Sequence, residues 1–311
     1  MMERDEIIVG TRGSELALTQ TKIVIDKLKK IFPQLSFNIK IIKTTGDKIL
    51  DKTLNKIGGK GLFVKEIENA LLNNEIDLAV HSMKDVPSEF LKELEIGAVT
   101  EREDIRDVLL TKDKEKLNEL KTGAKIGTSS LRRGAQILAL RSDLKIEPIR
   151  GNIQTRINKM YDMELDGIVL AAAGIKRMGL EDKVSEYFDV KDIVPAVGQG
   201  ALGIQVRKND NFIKGIISKI NDEKTELAVK AERNFMKVLN GGCHVPVGAY
   251  AFIDKDNLIM IGMVASIDGK KLIKVQKVGS INEPAVLGEE VALEILKKGG
   301  KNILKEIEGD M

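Results

Sequence analysis

The chain has 311 residues, of which 42% are hydrophobic, and this length predicts two or three domains rather than one compact core. Its net charge of +3 excludes the broad basic excess of a nucleic-acid binder, and no run of about 18 apolar residues predicts a membrane span. The single cysteine excludes an intramolecular disulfide, and Met1 leads into charged residues, so we expect a cytoplasmic protein that binds neither nucleic acid nor a membrane.

Two histidines and one cysteine argue against a zinc site, and we assign no metal ligand. The 47 acidic residues nevertheless leave an all-oxygen Mg²⁺ site open.

Strands and helices alternate in the first third of the chain. Strands are predicted at 7–9, 37–41 and 77–80, and helices after a possible N-cap at Ser14 and over 61–72. This βαβ rhythm predicts a parallel sheet.

The same rhythm restarts after about residue 105. Its strands are predicted at 108–110, 125–127, 146–149 and 167–170, and its helices from Ser130 and over 153–165. A second α/β domain follows from this pattern. A further strand at 201–206 can return to the first sheet.

The last part of the chain has a different pattern of predicted elements. A helix is predicted over 221–240, three strands at 247–252, 258–265 and 272–278 alternate around turn residues, and a final helix covers 284–297. The predicted fold class is therefore α/β, with two α/β domains and a small C-terminal α+β domain. The expected divisions are 1–100 with about 200–217, 101–199, and 218–311.

Gly198–Gly203 matches the dinucleotide-binding pattern G-x-G-x-x-G, but its context does not fit. The motif requires a strand before it and a helix opening inside it, whereas Pro195 precedes it and a β-like segment follows. We therefore reject a dinucleotide site there and expect a tight crossing between domains.

His81–Pro87 follows directly from a predicted strand, so its side chains should emerge at the carboxyl end of the sheet, where α/β folds bind ligands. Asp85, beside Lys84, can hold a proton donor or a counter-ion there. A surface salt bridge or a turn-stabilising aspartate explains the same residues.

Half of the 12 arginines lie between residues 132 and 177, and arginine binds carboxylate or phosphate bidentately. At a predicted helix start, Thr128, Ser129 and Ser130 precede Arg132 and Arg133, whose charges oppose the helix dipole and so need an external negative partner. The junction 150–156, with Arg150 and Arg156, repeats this pattern, and Arg12 with Ser14 does so in the first domain. The alternative for each arginine is a solvated helix face.

The only cysteine, Cys243, lies in a Gly-Gly-Cys-His-Val-Pro segment that suits a thiol held out for chemistry, although an inert buried cysteine fits equally. The glycine-rich segment 58–66, with Lys60 and Phe63, fits a lid as well as a disordered connection.

Eight colinear segments make the chain resemble the porphobilinogen deaminase family, also called hydroxymethylbilane synthase. They are 11–18, 58–63, 81–87, 127–133, 150–156, 170–177, 197–202 and 241–248. The resemblance spans nearly the whole chain. It implies two periplasmic-binding-protein-like domains with a cleft between them, and a third domain that carries the cofactor cysteine.

The resemblance also implies an activity in tetrapyrrole and heme biosynthesis. A dipyrromethane cofactor would be attached covalently to Cys243, and four porphobilinogen units would be polymerised onto it with loss of ammonia before water releases hydroxymethylbilane. Asp85 would act as general acid and counter-ion, Lys84 would bind substrate, and the protein would be a monomer. Contacts to the carboxylates of the rings would come from Arg12, Ser14, Thr128, Ser129, Ser130, Arg132, Arg133, Arg150, Arg156 and Arg177.

Two other interpretations remain. One is a two-domain binding protein for a polyanionic small molecule, and the other is a thiol acyltransferase with Cys243 as nucleophile and His244 as base. His244 stands where we associate glutamine with many family members, and a protonated His244 would favour the Cys243 thiolate during cofactor loading.

Overall fold

A computed structural model describes residues 5–44, 64–87, 90–239 and 245–309. The strands formed by these residues are β1 Glu6–Thr11, β2 Ser36–Ile41, β3 Leu78–Ser82, β4 Leu94–Val99, β5 Asp107–Thr111, β6 Lys125–Gly127, β7 Lys145–Glu147, β8 Gly167–Ala171, β9 Glu186–Tyr187, β10 Leu202–Arg207, β11 Val247–Asp254, β12 Asn257–Ala265 and β13 Leu272–Ser280. The helices are α1 Glu15–Ile31, α2 Lys65–Leu72, α3 Leu131–Leu140, α4 Ile153–Asp162, α5 Ala172–Arg177, α6 Asn211–Ile217, α7 Glu223–Val238, α8 Pro284–Ile295 and α9 Lys301–Gly309.

The chain divides into two compact units, Met1–Arg102 with Ala201–Glu226, and Glu103–Gly200 with Leu227–Met311. The sheets and helices confirm the α/β class with a small C-terminal α+β part. The three-domain boundaries stay a prediction.

The first unit contains one mixed sheet in the order β2-β1-β3-β10-β4. β1 runs parallel to β2 and β3, as the sequence predicts, whereas β10 runs antiparallel to both of its neighbours. The prediction of a purely parallel sheet is therefore wrong. β10 joins the sheet from a distant part of the chain and without a crossover helix, so it can run antiparallel to its neighbours. β4 was missed because Gly97 interrupts its apolar pattern, and a Cβ there would lie 2.8 Å from side-chain atoms of Ile217 and Val206.

The second unit contains two sheets, of which the first has the order β7-β6-β8-β5-β9. β6 runs parallel to β7 and β8, and β5 runs antiparallel to β8 and β9, so this sheet is mixed as well. β7 ends at Glu147 rather than the predicted residue 149, because Pro148 cannot donate to the ladder.

The other sheet of this unit is the predicted antiparallel meander β11-β12-β13. α7 and α8 pack on it around the fully buried Phe235. Gly262 permits this approach, since a Cβ there would lie 2.7 Å from the Phe235 ring and 2.6 Å from Val291. The helix α9 was not predicted, and it follows α8 after a kink at Gly299, whose φ is 106°.

None of the helices built by the described residues combines the length and hydrophobicity that a membrane span requires. In the same part of the chain, no group of three or more His, Cys, Asp or Glu side chains is placed to hold a metal ion.

Candidate functional site

Asp85 lies on a short turn whose backbone is held firmly in the first unit. β3 ends at Ser82 and continues into a 3-10 turn over Met83–Asp85, where Met83 N donates to Ala201 O at 3.0 Å. The Met83 side chain is buried, and any Cβ at Gly203 of β10 would collide with its sulfur. The Asp85 side chain is exposed beside the half-buried Lys84. A rigid turn therefore presents an accessible carboxylate at the end of β3.

A buried histidine lies directly behind this turn. His81 Nε2 is 3.0 Å from Gln205 Oε1, and Gln205 Nε2 donates to Glu68 Oε1 at 3.0 Å. Burial lowers the pKa of His81 to about 4, and the charges of Asp85 and Arg12 act on the ring in opposite directions. Arg12 and Asp85 are thus both near His81, which brings two predicted site residues to one end of the first sheet.

Ser14 is the N-cap of α1, as the sequence predicts, and its hydroxyl accepts from Ala17 N at 3.4 Å. Arg12 precedes it in the half-buried segment after β1. The Ser14 side chain thus accepts from a backbone N–H that has no partner within the first turn of α1, and Arg12 lies on the segment that connects β1 to this helix.

Arg132 and Arg133 share one internal carboxylate in the second unit. Arg132 Nη1 donates to Asp107 Oδ2 at 2.7 Å, and Arg133 Nη2 donates to Asp107 Oδ1 at 2.7 Å. Asp107 is fully buried, and the arginines are 5% and 6% exposed. Burial raises the pKa of Asp107, but the two guanidinium groups overcome this and hold it well below its usual range.

These contacts correct one step of the sequence argument. The negative partner expected for Arg132 and Arg133 is not external, because Asp107 supplies it from the start of β5. Two guanidinium groups against one carboxylate still leave the cluster with a net charge of +1. Ligand binding by Arg132 and Arg133 therefore stays a prediction.

The three hydroxyls before α3 have local partners. Ser130 is the N-cap and accepts from Arg133 N at 3.5 Å, and the buried Thr128 accepts from Ser130 N at 3.2 Å. The exposed Ser129 donates to Ile149 O at 2.7 Å. Since Ile149 belongs to the segment after β7, this bond joins the two strand-to-helix junctions that the sequence singles out.

Arg150 and Arg156 lie at the second of these junctions, and Arg177 lies after β8. Arg150 and Arg156 are half-buried, and Arg156 Nε donates to Gly151 O at 2.8 Å at the start of α4. Arg177 ends α5 and donates through Nη2 to Gly200 O at 2.6 Å, and burial lowers its pKa to about 10. The parallel strands β6 and β7 bring residues 128–133 and 150–156 to the same edge of the sheet.

β11 begins immediately beside the Arg132 pair. Ala249 N donates to Pro195 O at 3.0 Å, and a Cβ at Gly248 would lie 3.2 Å from Arg132 Cδ. Gly198 and Gly200 have φ values of 71° and 92° and lead into strand β10, not into a helix, which confirms the rejection of a dinucleotide motif. Four predicted residues lie outside the described part of the chain: Lys60, Phe63, Cys243 and His244.

Among the described residues, sequence reasoning missed three buried carboxyl groups, Glu68 in the first unit and Asp107 and Glu232 in the second. Asp107 is an acidic residue at the start of an apolar strand, and Glu232 occupies an apolar-face position of α7. Glu232 accepts from Gly198 N at 2.7 Å and from Ala251 N at 2.8 Å, so it ties the segment before β10 to β11. A charged residue on an otherwise apolar face was the available signal for Asp107 and Glu232.

Taken together, a net-positive arginine pair, further arginines and hydroxyls at one sheet edge suit a protein that acts on a ligand carrying several carboxylates. Family models agree with this class: "Porphobilinogen deaminase, dipyromethane cofactor binding domain" matches residues 7–215, and "Porphobilinogen deaminase, C-terminal domain" matches residues 226–297. The chain belongs to the porphobilinogen deaminase family. It is accordingly a transferase of the hydroxymethylbilane synthase type, with dipyrromethane as its cofactor.

Curated relatives cover nearly the entire chain. The porphobilinogen deaminase of Alkaliphilus metalliredigens is 52% identical over 304 residues, which cover 98% of this chain and 96% of the relative. That of Carboxydothermus hydrogenoformans is 52% identical over 307 residues, which cover 99% of each chain.

Among solved structures, a YaeC-family lipoprotein from Enterococcus faecalis covers 70% of this chain and 90% of its own, with 16% identity and a TM-score of 0.41. A TRAP periplasmic solute-binding protein from Desulfovibrio salexigens covers 70% and 72%, with 9% identity and a TM-score of 0.42. The family assignment rests on the sequence matches.

Proposed function

We propose that the chain holds its dipyrromethane on Cys243, extends it with four porphobilinogen units, and uses Asp85 as the general acid. The observation that carries this assignment is the Asp107 cluster, in which two guanidinium groups share one buried carboxylate and keep a net positive charge. This charge lies against the start of β11, and Cys243 precedes β11 by four residues in sequence.

The described residues fit a cofactor that carries acetate and propionate groups. Each pyrrole ring adds two carboxylates, and a bidentate guanidinium is the preferred protein partner of a carboxylate. Arg150 and Arg156 lie at the same sheet edge as the Asp107 cluster, and Ser129 connects the two segments. When bound, dipyrromethane supplies the free pyrrole carbon to which new units are joined.

Asp85 has the exposure and the support that a proton donor needs. Loss of ammonia requires a proton at the leaving amine, and the Asp85 carboxyl, protonated in that step, can deliver it. The resulting carboxylate then balances positive charge on the pyrrole ring and accepts from its N–H. The 3-10 turn, fixed through Met83 N and the buried Met83 side chain, keeps this carboxyl in place.

Lys84 and the arginines act in binding. Lys84 and Arg12 lie near Asp85 in the first unit and provide positive charge for the carboxylates of an incoming porphobilinogen. We also propose that the protein acts as a monomer in the cytoplasm. Gel filtration coupled to light scattering tests the oligomeric state.

Denaturing mass spectrometry of the intact protein tests the cofactor assignment. Because Cys243 is the only cysteine, a thioether adduct can form on no other thiol. We expect the purified chain to exceed its sequence mass by two pyrrole units, and we expect Cys243→Ser to lack both the adduct and ammonia release from porphobilinogen. An active chain of unmodified mass would overturn the assignment.

The same experiment separates the alternatives. A binding protein for a polyanion retains no adduct after denaturation and releases no ammonia. A thiol acyltransferase forms a thioester, which hydroxylamine cleaves, whereas the thioether expected here resists it.

A further inference from the structure

Three polar side chains from three elements meet inside the first unit. Glu68 of α2, Gln205 of β10 and His81 of β3 are all buried. The hydrogen bonds between them run in one line, with 3.0 Å from His81 Nε2 to Gln205 Oε1 and 3.0 Å from Gln205 Nε2 to Glu68 Oε1. Gln205 is therefore the central member of a buried relay.

The chemistry of an amide fixes the direction of this relay. The Gln205 nitrogen can only donate, and it donates to Glu68 Oε1, so the Gln205 oxygen must face His81. An oxygen acceptor at 3.0 Å from Nε2 requires a hydrogen on Nε2. The relay thus selects the Nε2–H tautomer of His81 and leaves the lone pair on Nδ1.

The charges around His81 come from three elements. Burial lowers the pKa of His81 to about 4, which outweighs the hydrogen bond to Gln205 and the charge of Asp85 on the 3-10 turn, whereas Arg12 after β1 acts in the same direction as burial. On α2, burial raises the pKa of Glu68, so its charge is also disfavoured. The ring is consequently neutral at any pH near 7.

A neutral ring has a consequence for the Asp85 carboxyl. A cationic imidazolium behind the turn would favour the charged carboxylate and oppose the protonated form that a general acid requires. Burial keeps the ring neutral although the hydrogen bond to Gln205 by itself raises the pKa of His81, and the uncharged Gln205 acceptor favours the cation less than a carboxylate at the same place would.

We propose that Glu68 and Gln205 are positioning residues, which hold His81 as the neutral Nε2–H tautomer and thereby keep Asp85 able to carry a proton. This inference rests on the role of Asp85 proposed above. The tautomer itself is measurable without any activity, so the two proposals fail separately.

Nitrogen NMR of the full chain with ¹⁵N-labelled histidine tests the tautomer. The chain has only two histidines, so His244→Gln leaves His81 as the single labelled ring. We expect the Nε2–H pattern between pH 8 and pH 5. An Nδ1–H pattern, or a titration midpoint near the ordinary value of about 6.5, would overturn the proposal.

Two isosteric variants test the relay. Gln205→Glu puts a carboxylate against Nε2–H, and we expect the His81 midpoint to rise by more than one pH unit. Glu68→Gln puts an amide at position 68, which can either accept from Gln205 Nε2 or donate to Gln205 Oε1, so Gln205 can take both orientations and we expect a mixture of both tautomers. Unchanged spectra in both variants would refute the relay. If Gln205→Glu does not fold, Glu68→Gln alone tests the relay, because it adds no charge to the interior.

Gln20→Glu is the matched control. Gln20 is also buried and bonds to Ser82, the neighbour of His81, with 2.9 Å from its Nε2 to Ser82 Oγ. Gln20→Glu adds the same charge as Gln205→Glu but places no acceptor at the His81 ring. We therefore expect a much smaller shift of the His81 midpoint than in Gln205→Glu.

The pH dependence of kcat tests the link to Asp85. Its alkaline limb reports loss of the essential acid proton, and we expect Gln205→Glu to move that limb to lower pH. A merely structural role would lower kcat without moving the limb. A correct tautomer with an unmoved limb would overturn the link, whereas full activity of Asp85→Asn would instead overturn the role proposed for Asp85.

Discussion

Gly248, the second residue of β11, has no room for a side chain against Arg132. A Cβ at this position would lie 3.2 Å from Arg132 Cδ and 2.9 Å from the carbonyl oxygens of Val194 and Pro195. β11, the strand that follows Cys243 in sequence, therefore packs directly against Arg132.

Gly248→Ala should destabilise the protein, because backbone oxygens cannot yield as a flexible side chain does. We expect a loss of about 1–3 kcal/mol in the free energy of unfolding, measured by urea denaturation. Gly215→Ala in α6 is the control, since a Cβ there meets nothing within 4 Å and alanine favours a helix by about 1 kcal/mol. Equal stability of the two variants would contradict the packing at Gly248.

Asp107→Asn should be far more damaging than its small change in volume suggests. It leaves two buried guanidinium groups without their carboxylate, and breaking a buried ion pair costs roughly 3–5 kcal/mol. Because the pKa of Asp107 lies below its usual range, this stabilisation is present above about pH 4 and is lost only as the pH falls further.

The surface pair of Arg141 and Asp143 gives the control for Asp107→Asn. Its guanidinium-to-carboxylate distance is also 2.7 Å, but both side chains are partly exposed. We expect Asp143→Asn to change the free energy of unfolding by less than about 1 kcal/mol. A cost for Asp107→Asn as small as this would show that the buried pair is dispensable.

Asp85→Asn should abolish proton donation without unfolding the chain, because the Asp85 side chain is exposed. We expect ammonia release to fall by about 10²–10⁴-fold, whereas Asp85→Glu should retain a measurable part of it. Stopped-flow assays of porphobilinogen consumption measure the change, and unchanged urea denaturation shows that folding is intact. Equal activities of the two variants would contradict an acid role.

His81 should make the protein less stable as the pH falls from 6.5 towards 4. The unfolded chain binds a proton at this histidine below about pH 6.5, whereas the folded chain does so only near its pKa of about 4. Between pH 6.5 and pH 5 this difference amounts to about 2 kcal/mol. Urea denaturation of the protein and of His81→Gln at both pH values measures it, and an identical pH dependence would refute the burial of a neutral ring.

Much of the fold could be predicted because its local signals agree with its tertiary structure. Ser14 and Ser130 cap helices where their positions predict caps, and the C-terminal meander forms at the predicted strands. The antiparallel direction of β10 could not be predicted in this way, since nothing local to 202–207 specifies how the strand enters a sheet built from the start of the chain.

The candidate site was predictable in its residue types and not in its internal pairings. The arginines after β6 and β7 do lie at one sheet edge, because parallel neighbouring strands bring them there. The carboxylate of Asp107 was missed because it is 25 residues away from Arg132 in sequence and stands alone before an apolar strand. Only tertiary structure reveals that one buried charge serves two arginines.

The place of β10 in the first sheet has a consequence for how the protein is made. β10 lies between β3 and β4, so the amino-terminal sheet lacks the strand that joins its edge strand β4 to β3 until the ribosome has released residue 207. The sheet of β5–β9 has all its strands between residues 107 and 187 and can close first. During synthesis, the sheet of β5–β9 can therefore form while the amino-terminal sheet still lacks β10.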